Sequence, residues 1–424
     1  MRRRISARRS RFQLAAGAIA VAMVALLSAC GSGSNSPSAG SSSPAAASSA
    51  PASSPAATAG TVPLSAIPSS VAANYTGYQS FSKLYTDAYS NWTAPKAPWK
   101  FCFSIPDVNN SWAVGTQTEL TSLYKQLLAA KLAKPGFTID ISNDNTALQI
   151  SQTDSLVSSG CNVILSVPGS PTALCAAITN AFQHGVLYVT DDTPIYCPQS
   201  INVSLNVYQT MYTAAQAVVK AMDGKGNLLV ESGIAGAVDT AVKDSAVAAV
   251  VKANPGVTSL GQVVGDFSSS VAQTGTAQFL ATHPQPVNGI VDLGGMGVAG
   301  ELALQQAGRP LAKVNFYEAS CSEVAFQHQN PSNVAMDEDQ GPGPAAYETM
   351  AVALRMLYGQ HPIVSTLFYP IPGPTATTVG QWFKPSMNIK STCFAASPNG
   401  RIIPDSYFNP LFSGGKQVSV QLNP

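Results

Sequence analysis

From Trp99 onward, short apolar runs alternate with helix-length amphipathic stretches, and the alternation stops once and then starts again. Strand and helix in alternation require crossover connections, and crossovers build parallel sheets covered by helices on both faces. The first series has strand candidates Lys100 to Ile105, Phe137 to Ile141, Val163 to Val167 and Leu187 to Thr190, with helices expected around 113–131, 146–159 and 171–184. After an interruption from Pro194 to Asn206, a helix over 208–222 opens a second series. Its strands are expected at 227–231, 260–264, 289–293 and 313–317, with helices at 237–253, 269–281 and 298–307 between them. Val334 to Met336 and a helix from about Pro344 to Leu357 follow, and the last 60 residues, rich in Pro and Gly, read as irregular. A chain of 424 residues exceeds what one hydrophobic core supports, so the two series predict two α/β lobes, each a doubly wound parallel sheet.

The body begins near Trp99, and what precedes it is an address. Arg2, Arg3, Arg4, Arg8, Arg9 and Arg11 lead into an apolar run from Leu14 to Leu27, the basic and hydrophobic regions of an export signal. The run is too short to span a bilayer as a helix. Its end, Leu27-Ser-Ala-Cys30-Gly31, resembles the lipobox of bacterial lipoproteins, in which the Cys is acylated and becomes the new N-terminus. One acyl chain holds only marginally, so multiple acylation of Cys30 is what makes such an anchor durable. A plain secretory signal with an incidental Cys is the alternative, and Arg8-Arg9 before Phe12 is similar to a twin-arginine signal. From Gly31 to about Gly60 the chain is almost entirely Ser, Ala, Pro and Gly, a tether that cannot bury enough surface to fold, and 61–97 form an N-terminal extension.

Charge narrows the partners. Only 11% of residues are charged, against roughly 25% in an average domain. Removing the six leader arginines leaves 17 basic against 22 acidic side chains, a mildly acidic product near −5. Such a surface has no broad phosphate-neutralising face for nucleic acid and no polybasic membrane arm. Beyond Cys30 six cysteines remain, an even number in an exported chain, where disulfides persist. Fifteen pairings are possible. Topology suggests Cys102 with Cys161 and Cys175 with Cys197, leaving Cys321 and Cys393 to pin the tail to the second lobe. A metal site is the alternative, but neither Cys-x-x-Cys nor clustered His supports one.

The segment Phe103-Ser-Ile-Pro-Asp-Val-Asn-Asn-Ser-Trp112, directly after the first strand, resembles the ribose-type (type I) periplasmic binding proteins. The likeness continues through Asn145 to Pro168, His184 to Asp192, Glu231 to Gly236 and Gly289 to Gly308, and covers roughly residues 98–360. It implies two lobes joined by a hinge, with a small ligand enclosed between them. The division it implies is 98–206 plus about 340–360 for lobe 1, 207–339 plus about 361–380 for lobe 2, and 381–424 as tail. It further implies a monomeric, cofactor-free receptor without enzymatic activity, which delivers its solute to the permease of an ABC importer. A ligand-sensing module for a membrane signalling receptor would need the same fold.

The resemblance carries individual positions. Asn110 matches a ligand-contacting Asn and Trp112 an aromatic that stacks on the ligand, although Ser111 and Ala113 replace the usual Pro and second aromatic. Asp192, beside Asp191, takes the place of an Asp that grips sugar hydroxyls, without the Arg that usually follows. An Arg position falls near Lys243, an Asn-Asp pair falls on Gly294-Gly295, an Asp falls on Glu318 after aromatic Tyr317, and a hinge-side Gln falls near Glu338. Asp337 and Asp339 flank that position, so the cleft would be rich in acceptors. That suits a neutral sugar or polyol, or a cation, and disfavours phosphate or dicarboxylate, since only Lys243 could neutralise an anion. Plainer roles compete: Asn110 fits a helix N-cap, Trp112 a core aromatic, Asp191-Asp192 a turn before Thr193-Pro194, Lys243 a helix surface, and Glu318 with 337–339 solvated loop charge.

One motif points elsewhere. Gly295-Met-Gly297-Val-Ala-Gly300 fits G-x-G-x-x-G between a strand and a helix, with Glu318 about twenty residues on, the layout of a dinucleotide-binding fingerprint and hence of an exported oxidoreductase. That fingerprint normally opens its domain, whereas here at least six strand candidates precede it. Hydrolysis finds no anchor: Gly-x-Ser-x-Gly is absent, and His184, His283, His328 and His361 are isolated in sequence.

Overall fold

A computed structural model describes residues 60–423 apart from 81, 399 and 401–402; Cys30, the leader and most of the tether lie outside the described residues. The first lobe is built from β1 (Phe101–Ile105), α1 (Ser111–Ala129), β2 (Thr138–Ile141), α2 (Thr146–Ser158), β3 (Val163–Ser166), α3 (Cys175–Gln183), β4 (Leu187–Asp191) and β5 (Ile201–Ser204). The second contains α4 (Val207–Ala221), β6 (Gly226–Ser232), α5 (Val238–Ala253), β7 (Val257–Val264), α6 (Ser269–Thr282), β8 (Gly289–Asp292), α7 (Gly297–Gln306), β9 (Lys313–Asn315), α8 (Cys321–Gln329) and β10 (Val334–Met336). The chain then returns through α9 (Pro342–Leu357), β11 (His361–Pro362), β12 (Thr366–Phe368), α10 (Val379–Trp382) and β13 (Phe412–Ser413).

Both large sheets are parallel throughout, in the orders β12-β5-β4-β3-β1-β2 and β10-β9-β8-β6-β7. Each places its first strand between its second and third, so the strand order reverses there, and the crevice at such a switch point is where open α/β sheets bind ligands. Parallel strands covered on both faces must be apolar on both, and β1, β3, β4 and β5 are buried along their whole length.

Three expectations are corrected. The N-terminal extension belongs to the first lobe's core, so the folded body begins well before Trp99. Tyr75 and Tyr89 are fully buried, the Tyr75 hydroxyl donates to the Thr366 carbonyl, and the Tyr89 hydroxyl donates to the Gln199 carbonyl at 3.0 Å. The segment has only 3₁₀ turns, so no periodicity announced it. The region 361–380, expected in the second lobe, divides. β12 pairs with β5 in the first sheet, while residues 371–374 run beside Asp339 and α8 of the second lobe. The interruption at 194–206 hides β5, whose Asn202 and Ser204 give it a loop-like composition. Asn202 is nonetheless fully buried, bonded to Thr190, Ile195 and Thr366.

Disulfides join Cys102 to Cys161, Cys175 to Cys197 and Cys321 to Cys393, the pairs that topology suggested. The last draws the tail onto α8, where Cys321 N–H also donates to the Cys393 carbonyl. Among the described residues no group of His, Cys, Asp and Glu is arranged to hold a metal ion.

Candidate functional site

The turn after β1 must start α1, and Asn110 does so in extended backbone by accepting the Ala113 N–H at 2.8 Å. The cap fixes the direction of Trp112, whose indole N–H donates to the Gln340 carbonyl at 2.9 Å. At the end of β4 the chain splits two neighbouring carboxyls. Asp191 completes the strand and is fully buried beside Thr349 of α9. Asp192 takes a left-handed conformation, φ 62°, that Asp tolerates better than most residues, and its carboxylate emerges into the cleft. There it accepts the Gln340 side-chain amide at 2.5 Å.

The second lobe answers from α5 and from the loops after β7, β8 and β9. Lys243 is 3% exposed and lies one helical turn from Asp239, with an ammonium–carboxylate distance of 2.8 Å. Its ammonium also stands 4.3 Å from the Tyr317 ring centre and 5.3 Å from that of Phe267. Glu318 rests against Gly295, where a side chain would put its Cβ 2.6 Å from the carboxylate and where φ is +65°, so glycine is required twice over.

Together these residues, with Ser111 and Gly294, line a cavity of about 110 Å³ at the C-terminal ends of both sheets. One water needs roughly 10–15 Å³ on the same measure, so the space suits a small, hydroxyl-sized set of groups rather than a bulky solute. Asn110, Trp112, Asp192, Lys243, Tyr317 and Glu318 are brought together here. Asp191 is not, since it faces the core, and Glu338 is not, since it turns to a groove on the other side of the hinge beside Asn206 and Tyr369. The hinge-side amide is Gln340, two residues on. Asp239, Phe267 and Gln340 went unrecognised. Asp239 was legible, because a cleft-facing Lys243 puts position i−4 on the same face.

Burial dominates the electrostatics. Desolvation pushes Asp192 up to about 6, with Asp239 raising it further and Lys243 opposing. It pushes Asp191 up to about 8, with Asp192 adding to it. Glu318 and Glu338 are held well above the usual carboxylate range, again chiefly by burial. The site can therefore offer carboxyl, amide and aromatic groups, but its single ammonium is already paired. A larger groove of about 500 Å³ around the C-terminal tail is less suited, because its Arg355 already donates to Gln360, Asp405 and Asn409.

The dinucleotide reading fails at the start of α7. The Asp292 carboxylate accepts the Gly294 N–H at 2.8 Å and the Met296 N–H at 3.0 Å, occupying the donors a pyrophosphate would need. The Gly300 Cα instead lies so close to Glu231 that a Cβ would sit 2.4 Å from its carboxylate.

Two parallel-sheet lobes with a polar, aromatic-walled cavity at their shared crevice define a cleft-type ligand receptor. The family model for the periplasmic binding protein domain matches residues 101–361, and the chain belongs to that family, whose members are solute receptors rather than enzymes. Family membership makes it an exported, extracytoplasmic protein. No curated protein matches the sequence. Among solved structures, an ABC transporter solute binding protein from Thermobispora bispora is 21% identical with a TM-score of 0.62, covering 71% of this chain and 92% of its own. A solute binding protein from Mycobacterium smegmatis with bound glycerol has a TM-score of 0.58 at 17% identity, covering 70% of this chain and 99% of its own. One from Bacillus halodurans with bound myo-inositol has a TM-score of 0.57 at 14% identity, covering 68% and 99%. These likenesses establish the fold.

Proposed function

We propose that this protein captures a small neutral sugar or polyol between its lobes and hands it to an ABC importer. The observation that carries this reading is the pairing of Lys243 with Asp239 inside a cleft otherwise walled by Asp192, Glu318, Gln340 and Trp112. With its one cation neutralised internally, the cleft cannot pay the desolvation of a phosphate or dicarboxylate. Carboxyl and amide groups around an aromatic face instead match the alternating hydroxyls and apolar edge of a polyol. The glycerol, myo-inositol and D-allose bound by structurally similar proteins support the same class. Closure follows from differential affinity: a solute held by Asn110, Trp112 and Asp192 is bridged to Lys243, Tyr317 and Glu318 only when the lobes meet.

The lipobox at Cys30 supports attachment to the outer face of the cytoplasmic membrane through the Ser/Ala/Pro-rich tether, with the body acting as a monomer. Among the described residues no helix is long and apolar enough to cross a membrane. A thermal-shift panel of pentoses, hexoses, polyols, nucleosides, polyamines, amino acids and dinucleotides tests the assignment. A ligand at a hundred times its Kd adds about 2.7 kcal/mol, enough to move the midpoint by degrees. Stabilisation by a sugar or polyol is expected, and stabilisation by a dinucleotide alone would overturn the reading.

A further inference from the structure

We propose that the chain carries a second ligand site outside the interlobe cleft, a cavity of about 340 Å³ in which Glu348 receives the ammonium of a small amine with an apolar body. Glu348 projects from α9, a helix in which most side chains are buried, and is itself only 3% exposed. Among the described residues it has no hydrogen-bond or ion-pair partner. Arg355, two turns along, is committed to Gln360, the Asp405 carbonyl and Asn409. Asp339 in the same wall is engaged, accepting the Gly341 N–H at 3.2 Å where the chain enters α9. Glu119, half-buried on α1, lines the same cavity, so Glu348 is the deeply buried carboxyl of the wall that no protein group among the described residues engages.

A buried carboxyl without a partner is costly, and such a group in a folded protein calls for an explanation in an unseen water, ion or ligand. Burial holds Glu348 well above the usual carboxylate range, with Asp405 adding to the effect and Arg355 opposing it. The remaining walls fix the other half of the ligand. Pro342, Tyr347 and Phe394 supply apolar and aromatic surface around the carboxyl, which favours a cation carried on a hydrophobic or aromatic body. Phe394 is held in place from the second lobe, through the Cys321–Cys393 disulfide and its backbone pairing with Ser320. The cavity is therefore preformed rather than a gap under a free tail.

Calorimetric titration of the purified protein with benzylammonium chloride, against benzyl alcohol as the uncharged counterpart, tests the assignment. Benzylammonium should bind in the millimolar range or tighter, and benzyl alcohol roughly tenfold more weakly or worse. Glu348→Gln should weaken benzylammonium roughly tenfold, whereas Asp192→Asn, in the interlobe cleft, should leave it within about twofold. Absence of binding, equal binding of the alcohol, indifference to Glu348→Gln, or loss in Asp192→Asn would each overturn the proposal. Because Glu348→Gln could disturb folding, crystals of the wild-type protein soaked with 4-bromobenzylamine give an independent reading. The anomalous bromine peak should fall between Tyr347 and Phe394; a peak only in the interlobe cleft, or none, refutes the site. Failure here leaves the sugar or polyol assignment untouched, since that rests on different residues.

Discussion

The indole N–H of Trp112 ends on the backbone carbonyl of Gln340, 228 positions later in the chain. The side chain of the same glutamine donates to Asp192, so one residue of the hinge ties together two of the first-lobe groups that line the cavity. Position 340 thus sets both the tilt of the aromatic wall and the direction of the nearest acceptor.

Trp112→Ala should weaken binding of the stabilising sugar or polyol tenfold or more, the order expected for losing an aromatic contact, while the fold survives. Trp112→Phe keeps a ring but not the N–H to Gln340, and should lie between wild type and alanine. Titration calorimetry on the three proteins gives the order; unchanged affinity in Trp112→Ala removes the residue from the site.

Lys243→Met should destabilise the protein by about 3 kcal/mol, because it strands Asp239 in a partly desolvated cleft. Replacing both, as Lys243→Met with Asp239→Leu, should recover most of that loss. Urea midpoints of the two single variants and the double variant complete the cycle, and strictly additive losses would mean the pair is uncoupled.

Stability should decline from mildly acidic to alkaline pH. Asp191, Glu301 and Asp339 are pushed up to about 8, and Asp192 and Asp292 to about 6, in each case chiefly by burial. Each raised carboxyl keeps its proton in the folded state at a pH where the unfolded chain has released it. Its contribution is complete below the ordinary values of 3.8 for Asp and 4.5 for Glu and is lost as pH rises through the folded value. Urea midpoints should therefore be higher at pH 5 than at pH 8, and Asp191→Asn should flatten the slope above pH 6. A midpoint that climbs across this range contradicts the burial of these groups.

Cys30→Ser should move the protein from the membrane to the soluble fraction, as fractionation and blotting would show. Retention in the membrane would mean that something other than an acylated Cys30 holds it.

Much of the architecture was written locally. Periodicity located the strands and helices of both series because fully buried parallel strands and amphipathic helices carry opposite, easily separated patterns. β5 escaped because Asn202 and Ser204 are polar yet satisfied inside the sheet, which composition cannot reveal. α8 escaped although Ser320 and Glu323 form a capping box, a sequence signal that was present and unused.

The site divides in the same way. Asn110, Trp112 and Asp192 follow strand ends or helix starts, so their cleft positions are consequences of local chain direction, while Lys243 sits in the second turn of α5. Asp191 and Glu338 lie outside the cavity because one left-handed residue turns Asp192 rather than Asp191 into it, and the hinge crossing brings in Gln340 rather than Glu338. The sequence by itself determined the two-lobe α/β body and its acceptor-rich crevice, since these depend on patterns spanning a few residues. Only the tertiary structure decided that Gln340 rather than Glu338 enters the cleft, that Lys243 is already paired, and that Glu348 is buried in a cavity wall without a hydrogen-bond or ion-pair partner among the described residues. Those facts depend on contacts between segments far apart in the chain, where burial and the available partners, not local preference, set each group's role.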